Sequence, residues 1–427
     1  MSGAMRVAMP SWRARSLRFS EERMSNSTGK RNYAIVTMAY WADTLADGAI
    51  RMLVLFYFYE LGYNALQVAS LFLFYEIFGI ITNFAGGVLA SRFGLKSTLF
   101  MGLGTQLVAL GMLAFMPVSG LTIAWVMASQ ALSGIAKDLT KMSSKSAVKL
   151  IAGDTEGRLY RWVALLTGSK NALKGVGFFT GSLLLTLVGF QASVGVLMGV
   201  VGAAMLLALI LMRGGLGDTK SKSKFKQLLS RNRAVNLLSV ARFFLFGARD
   251  VWFVVALPVF LSTVLGWKFW QAGGFMALWV IGYGLVQAFA PAILRGKDPT
   301  GKTATWLAFS LTLIPVLIGG GLYFGWHPET MVLGGLILFG VAFALNSAVH
   351  SFLILDYTDH DKLAMNVGIY YMANACGRLI GTVLSGLLYQ LGLNIDGTSG
   401  LIYCLIASAI FLAVTGVVSI ALPRQRV

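Results

Sequence analysis

Residues 213–234 read RGGLGDTKSKSKFKQLLSRNRA, a polar run with seven cations and one acid, set between two long tracts that are almost wholly apolar. Working outward from it, apolar stretches recur at 33–59, 66–90, 97–117, 120–138, 160–185 and 192–212 on one side. On the other they fall at 235–263, 270–293, 303–322, 331–355, 364–390 and 399–422. Each is near the roughly 20 residues needed to cross a hydrocarbon core as a helix. The expected fold class is all-α: a polytopic membrane protein of about twelve transmembrane helices in two six-helix halves. The expected organisation is a basic segment 1–32, a first half 33–212, the linker 213–234, a second half 235–422 and a short tail 423–427.

Composition agrees. Of 427 residues, 57% are hydrophobic and 12% charged, where a soluble chain carries roughly twice that charged fraction. Eight prolines against 49 glycines suit helices that approach closely through small residues. Residues 1–32 are polar and basic, and the apolar stretch from Tyr33 is long enough to remain as a span, so no cleavable signal is expected. Cys376 and Cys404 both lie in spans and read as small apolar residues.

The net charge of +18 follows the topology. Arg6, Arg13, Arg15, Arg18, Arg23, Lys30 and Arg31 precede the first span; Arg92 and Lys96 follow the second; the linker holds the rest of the basic excess. The opposite loops hold little beyond Glu60, Lys268, Glu329 and Asp396. The positive-inside rule then expects both termini in the cytoplasm of a multi-pass protein of the inner membrane. Cations distributed this way answer to orientation and anionic lipid and exclude nucleic acid as a partner.

A shift of 204 residues lays Leu61–Leu89 over Leu265–Ile293, matching Leu61 with Leu265, Gly62 with Gly266, Gln67 with Gln271 and Ile77 with Ile281. Two such halves around a cytoplasmic loop are the arrangement of major facilitator transporters. The segment Gly87–Lys96 resembles their glycine-acid-arginine-glycine loop signature, with Ser91 in place of the acid. A tight turn between spans is the simpler reading of that segment.

Ionisable groups inside the spans are the informative residues, because a charge at bilayer depth costs ~2.5–3.5 kcal/mol or more. Asp43, Asp47 and Arg51 recur on one face of the first span, where Asp47 and Arg51 either neutralise each other or face a cavity. Lys170 and Lys174 sit one turn apart in the fifth span, with Asn171 between them, and repel. The seventh span holds Arg242, then Arg249 and Asp250, whose adjacency on a helix sets them apart. Arg378 lies one turn after Asn374 in span eleven.

Leaving span four aside, the deep cations Arg51, Lys170, Lys174, Arg242, Arg249 and Arg378 face four acids, Asp43, Asp47, Glu76 and Asp250. The excess argues for an anionic substrate. Arg51 and Arg249 each follow a Gly-Ala step in corresponding spans, a clamp suited to phosphate or carboxylate. The four acids are the candidates for ion coupling. Lys137, Lys141, Lys145 and Lys149 form a basic stripe leaving span four, offset by Asp138 alone; it suits either anionic lipid or an entry path for an anion. No nucleophile-base-acid set and no metal spacing among His327, His350 and His360 is visible, so neither an enzyme nor a cofactor or metal is expected. Gly175-Val-Gly177 lies within a span and reads as helix packing.

Three runs carry a closer resemblance: Gln130–Lys149, Leu166–Gly175 and Phe246–Trp252. They resemble the signature of the ArsJ family, organoarsenical efflux permeases of arsenic-resistance operons within the major facilitator group. The likeness extends from about Tyr33 to the last span, and the basic leader before Met24 departs from it. It implies export of 1-arseno-3-phosphoglycerate, the ester formed when glyceraldehyde-3-phosphate dehydrogenase uses arsenate in place of phosphate. That dehydrogenase is thus a functional partner. The expected mechanism is alternating access, with Arg51, Arg249, Lys170 and Lys174 on the anionic ends and Arg242, Arg378 and Asn171 supporting. The alternatives are a transporter of ordinary organic phosphates or sugar acids, and a membrane sensor that moves nothing.

Overall fold

The computed structural model describes residues 11–152, 158–212, 230, 232–294, 299–358 and 363–423, with side chains described outside 11–30, 83–93, 145–168 and 363–365. Ser91, Arg92, Lys145, Lys149, His360 and most of the linker therefore lie outside what is described. Every long regular element among the described residues is an α-helix.

The first half comprises α1 (Ser11–Glu60), α2 (Ala65–Leu71), α3 (Leu73–Ala114), α4 (Ile123–Ala152), α5 (Arg158–Val188) and α6 (Phe190–Leu211). The second comprises α7 (Arg233–Phe253), α8 (Ala256–Thr263), α9 (Phe269–Ile293), α10 (Gly301–Tyr323), α11 (Pro328–Asp356), α12 (Leu363–Leu393) and α13 (Ser399–Ile420). Helix α3 covers two crossings. Two helices meet there at a kink at Gly94, whose φ of 75° and ψ of 161° break the helix in a conformation that a Cβ disfavours. The turn expected between spans two and three is thus one residue wide. Helices α7 and α8 form one crossing, interrupted at Val254 and Val255.

Ten segments among the described residues are apolar enough to be membrane spans by length and composition. Helices α1 and α4 are outside that set because they carry Asp43, Asp47 and Arg51, and Lys137, Asp138 and Lys141. Phe115, Leu187, Ile210, Leu278, Leu313 and Leu317 are exposed around the periphery. A belt of this kind would aggregate in water, and it is the natural surface against lipid tails.

Helix α1 packs on α4, α5 and α6, and α7 packs on α12 and α13. The halves meet through α5 against α9 and through α2 and α3 against α12. Away from the termini this junction is tight. A Cβ on Gly386 of α12 would stand 2.4 Å from the Ala69 methyl and 2.6 Å from the Ala65 carbonyl. Phe56 of α1 stacks on Phe269 of α9 with ring centres 4.7 Å apart.

Candidate functional site

Close helix crossings place the interior charges. In the first half, a Cβ on Gly177 or Gly181 of α5 would stand 2.5 and 2.3 Å from the carbonyls of Leu45 and Ala49. In the second, Gly377 and Gly381 of α12 meet the carbonyls of Phe243 and Gly247 at 2.0 and 2.8 Å in the same sense. Backbones this close are held by van der Waals packing without a hydrophobic drive. The repeat makes Lys174 and Asn374 equivalent, each three residues before the first glycine of its pair. Their partners differ: Lys174 faces Asp47, and Asn374 faces Arg242.

A continuous ion-pair network joins the halves. Glu76 of α3 accepts from Arg51 of α1 at 2.8 Å and from Arg378 of α12 at 2.7 Å, both on Oε1. Arg378 also reaches Asp250 Oδ2 of α7 at 3.1 Å, and Arg249 Nε donates to Asp250 Oδ1 at 2.6 Å. Three guanidiniums therefore share two carboxylates. Glu76 and Asp250 are buried, whereas the side chains of Arg378 and Arg249 keep 19% and 15% exposure. Arg51 is backed by the faces of Phe72 and Tyr75, 5.3 and 5.1 Å from the ring centres.

The first half carries a second cluster. Lys174 approaches Asp47 at 4.0 Å, and Tyr75 donates its hydroxyl to the other oxygen of Asp47 at 2.5 Å. Lys137 of α4 rests on the Tyr75 ring, 3.9 Å from its centre, a cation–π contact. Lys141 pairs with Asp138 at 2.8 Å. Asp43 touches the Thr140 hydroxyl at 2.5 Å. Lys170 and Asn171 are half-buried on α5, the latter against Gly284 of α9.

Arg242 forms a third centre in the second half. It donates to Asn374 at 3.0 Å and to the carbonyl and hydroxyl of Ser347 at 3.2 and 3.1 Å. Its guanidinium lies over Phe246, 3.9 Å from the ring centre. No carboxylate comes within ion-pair distance of it among the described residues. His350 and Asn346, buried on the same helix as Ser347, have no hydrogen-bond partner on either polar side-chain atom.

One reading of the sequence is corrected here, and one of two alternatives is set aside. Arg249 and Asp250 do pair, because a long guanidinium arm folds back along the helix despite the divergence of neighbouring Cβ vectors. Asp47 and Arg51 do not neutralise each other: Arg51 turns to Glu76, and Asp47 to Tyr75 and Lys174. Asn374 accepts from Arg242, and Arg378 one turn later turns to Glu76 and Asp250. Of the residues singled out, Arg51, Glu76, Arg249, Asp250 and Arg378 come together in one network. Asp47, Lys174, Lys137, Lys141 and Asp43 line the α1–α4–α5 side. Tyr75, Thr140 and Ser347 are contacts the sequence did not mark. Tyr75 precedes Glu76, which was its one signal among many interior aromatics.

Residues 36–348 match the sequence profile of the Major Facilitator Superfamily. Among solved structures the chain is similar to a POT family transporter in complex with 5-aminolevulinic acid, with a TM-score of 0.74 and 14% identity over 92% of this chain and 97% of that one. It is similar to the nucleoside transporter NupG, at 0.70 and 13% over 92% and 99%. A bacterial homologue of the iron transporter ferroportin in an inward-facing state gives 0.67 and 14% over 92% and 98%. No curated protein matches the sequence. With the profile spanning most of the chain and the all-helical fold shared, this multi-pass membrane protein belongs to the Major Facilitator Superfamily and is a transporter.

Proposed function

We propose that the transporter exports an organic anion from the cytoplasm, that the anion is 1-arseno-3-phosphoglycerate, and that export confers resistance to arsenate. The observation that carries the anion is the charge balance of the paired network. Three arginines share Glu76 and Asp250, and Arg242 is held by Asn374 and Ser347 with no acid among the described residues. A site one or two charges short of neutrality is completed by a ligand that brings them.

Arg51, Arg249 and Arg378 are the proposed grip on one end of the ligand, with Lys170, Lys174 and Asn171 of α5 on the other and Arg242 supporting. Lys137 and Lys141 stand on the α4 side, where an entering anion would be drawn. The arsenical identity rests on the ArsJ-like runs at Gln130–Lys149, Leu166–Gly175 and Phe246–Trp252. It makes glyceraldehyde-3-phosphate dehydrogenase the enzyme that supplies the substrate. The proposal takes both termini to be cytoplasmic and the membrane to be the inner one, a reading supported by the loop charges.

Everted membrane vesicles supplied with that dehydrogenase, its aldehyde substrate and labelled arsenate test the reading. Label should accumulate inside only when the transporter and the active dehydrogenase are both present, and an arsenate-sensitive strain should gain resistance from the gene. Uptake of ordinary organic phosphates without any protection from arsenate would move the function to that neighbouring class.

A further inference from the structure

Four interior acids were candidates for ion coupling, and their surroundings separate one from the other three. Glu76 and Asp250 each accept from two arginines, and Asp47 has Lys174 and the Tyr75 hydroxyl. Asp43 has no cation within ion-pair distance, although it is 1% exposed. One of its oxygens has no hydrogen-bond partner at all. Its other oxygen lies 2.5 Å from the hydroxyl of Thr140, itself fully buried.

The Thr140 hydroxyl has three oxygens within reach of its single hydrogen, Asp43 Oδ2 and two carbonyls of its own helix. Its Oγ1 lies 3.1 Å from the Ala136 carbonyl and 3.0 Å from the Lys137 carbonyl, the usual back-bond of a threonine within a helix. A hydroxyl has one hydrogen to give. When Thr140 gives it to the helix, the short contact to Asp43 needs a hydrogen from Asp43. A bare carboxylate would instead leave a buried charge with one oxygen unsatisfied and no cation, an arrangement that costs several kcal/mol. A neutral carboxylic acid that donates to Thr140 removes the buried charge, and the oxygen left without a partner is then an uncharged carbonyl, which costs less to bury.

The geometry points to Asp43 as a proton-binding site of the transport cycle, holding a proton in this conformation and exchanging it with water when α1 and α4 move apart. The step balances simply: the Asp43 O–H bond breaks, the proton passes to water, and a carboxylate remains. The groups around it are known. Tyr40 and Asp47 lie one turn away on α1, and Lys137 and Asp138 face it from α4. Asp138 is occupied by Lys141. Lys137 rests on the Tyr75 ring of α3, and on this proposal it is the cation that receives Asp43 once it is charged. Asp43 would then ionise as Lys137 leaves the ring. The inference rests on the transport reading for its place in a cycle, and the protonated acid stands apart from it.

Infrared spectroscopy of the purified transporter in lipid nanodiscs reads the proton directly. At neutral pH the wild type should show a carbonyl stretch of a protonated carboxylic acid that Asp43→Asn removes and Thr140→Val displaces. Asparagine is nearly isosteric with the neutral acid, so that variant should fold and melt like the wild type. A spectrum unchanged by Asp43→Asn overturns the proposal. In everted vesicles with the membrane potential clamped, the ratio of uptake of labelled 3-phosphoglycerate with and without a pH gradient should exceed one in the wild type and fall to one in Asp43→Asn. A gradient response that survives the substitution removes Asp43 from coupling. Absence of any uptake in the wild type counts against the organic-anion reading, and the infrared band then judges Asp43 alone.

Discussion

Replacing Glu76 by glutamine tests whether an anionic ligand completes the network. The Glu76 carboxylate holds Arg51 at 2.8 Å and Arg378 at 2.7 Å. After the substitution Arg378 keeps Asp250 at 3.1 Å, while Arg51 keeps only the faces of Phe72 and Tyr75. The loss therefore falls mainly on Arg51, whose side chain is 8% exposed. Breaking one buried pair costs about 3–5 kcal/mol. Glutamine retains one acceptor oxygen, which puts the expected loss near ~3 kcal/mol, roughly two decades in a folding equilibrium. By linkage, an added anion that reaches Arg51 recovers part of that loss.

Unfolding in nanodiscs, followed by tryptophan fluorescence with and without 3-phosphoglycerate, measures both quantities. The variant should be less stable, and the anion should protect it more than it protects the wild type. Adding Arg51→Gln to Glu76→Gln should return stability, since the stranded charge is then gone. A variant as stable as the wild type, or equal protection of both by the anion, refutes the idea that Glu76 and the ligand share the same arginines.

Lys170→Gln with Lys174→Gln should abolish arsenate resistance while the protein remains in the membrane at wild-type abundance; normal resistance would remove α5 from the site. Gly377→Ala should lower folded yield sharply, because its Cβ would stand 2.0 Å from the Phe243 carbonyl and α7 would have to leave α12; quantitative detection in membranes measures this. Asp396 accepts hydrogen bonds from the backbone amides of Thr398 and Ser399 at 2.7 and 2.8 Å and from both hydroxyls. These hold its carboxyl well below the usual carboxylate range. A lowered folded value gives stability that is present above the unfolded value and is lost as pH falls through the folded one. Amide exchange at the start of α13 should therefore stay slow at mildly acidic pH and rise only in strong acid, and Asp396→Ala should make it fast throughout.

How much of this was legible in the sequence depends on which physical signal each feature leaves. Crossings show as apolar length, and even α1 and α4 were readable because their charges interrupt stretches otherwise long enough to span. The turn between spans two and three was legible from the glycine signature of Gly87–Lys96, whereas the confinement of the non-helical backbone to Gly94 was not, since positive φ at one glycine leaves no mark of its own in a sequence with 49 of them. The cations of the site were legible because interior charge is rare. Their pairing was not. Helical spacing tells where Cβ atoms point and says little about where a guanidinium ends, as Arg249 and Asp250 demonstrate. The equivalence of Lys174 and Asn374 needed the crossing points, because sequence matching in α2 and α9 used a different shift.

The proposed anion and the proposed proton bear on one energy balance. With the cytoplasm negative, each net negative charge carried outward gains ~2.3 kcal/mol per 100 mV, so export runs downhill electrically without any coupled ion. One proton entering on Asp43 per cycle moves a further positive charge inward and adds the same electrical amount, together with whatever the pH gradient supplies. The network explains why such help is useful. A ligand bound to Arg51, Arg249 and Arg378 competes with Glu76 and Asp250, but it must also leave. Those same carboxylates are in place to recapture the arginines as it goes. Protonation of Asp43 removes an acid from the α1–α4 face at the stage when α1 must pack closely on α4, and ionisation restores one when the two separate. The charge proposed to grip the ligand and the charge proposed to time the helix movement would then be borne on one helix, two turns apart, at Arg51 and Asp43.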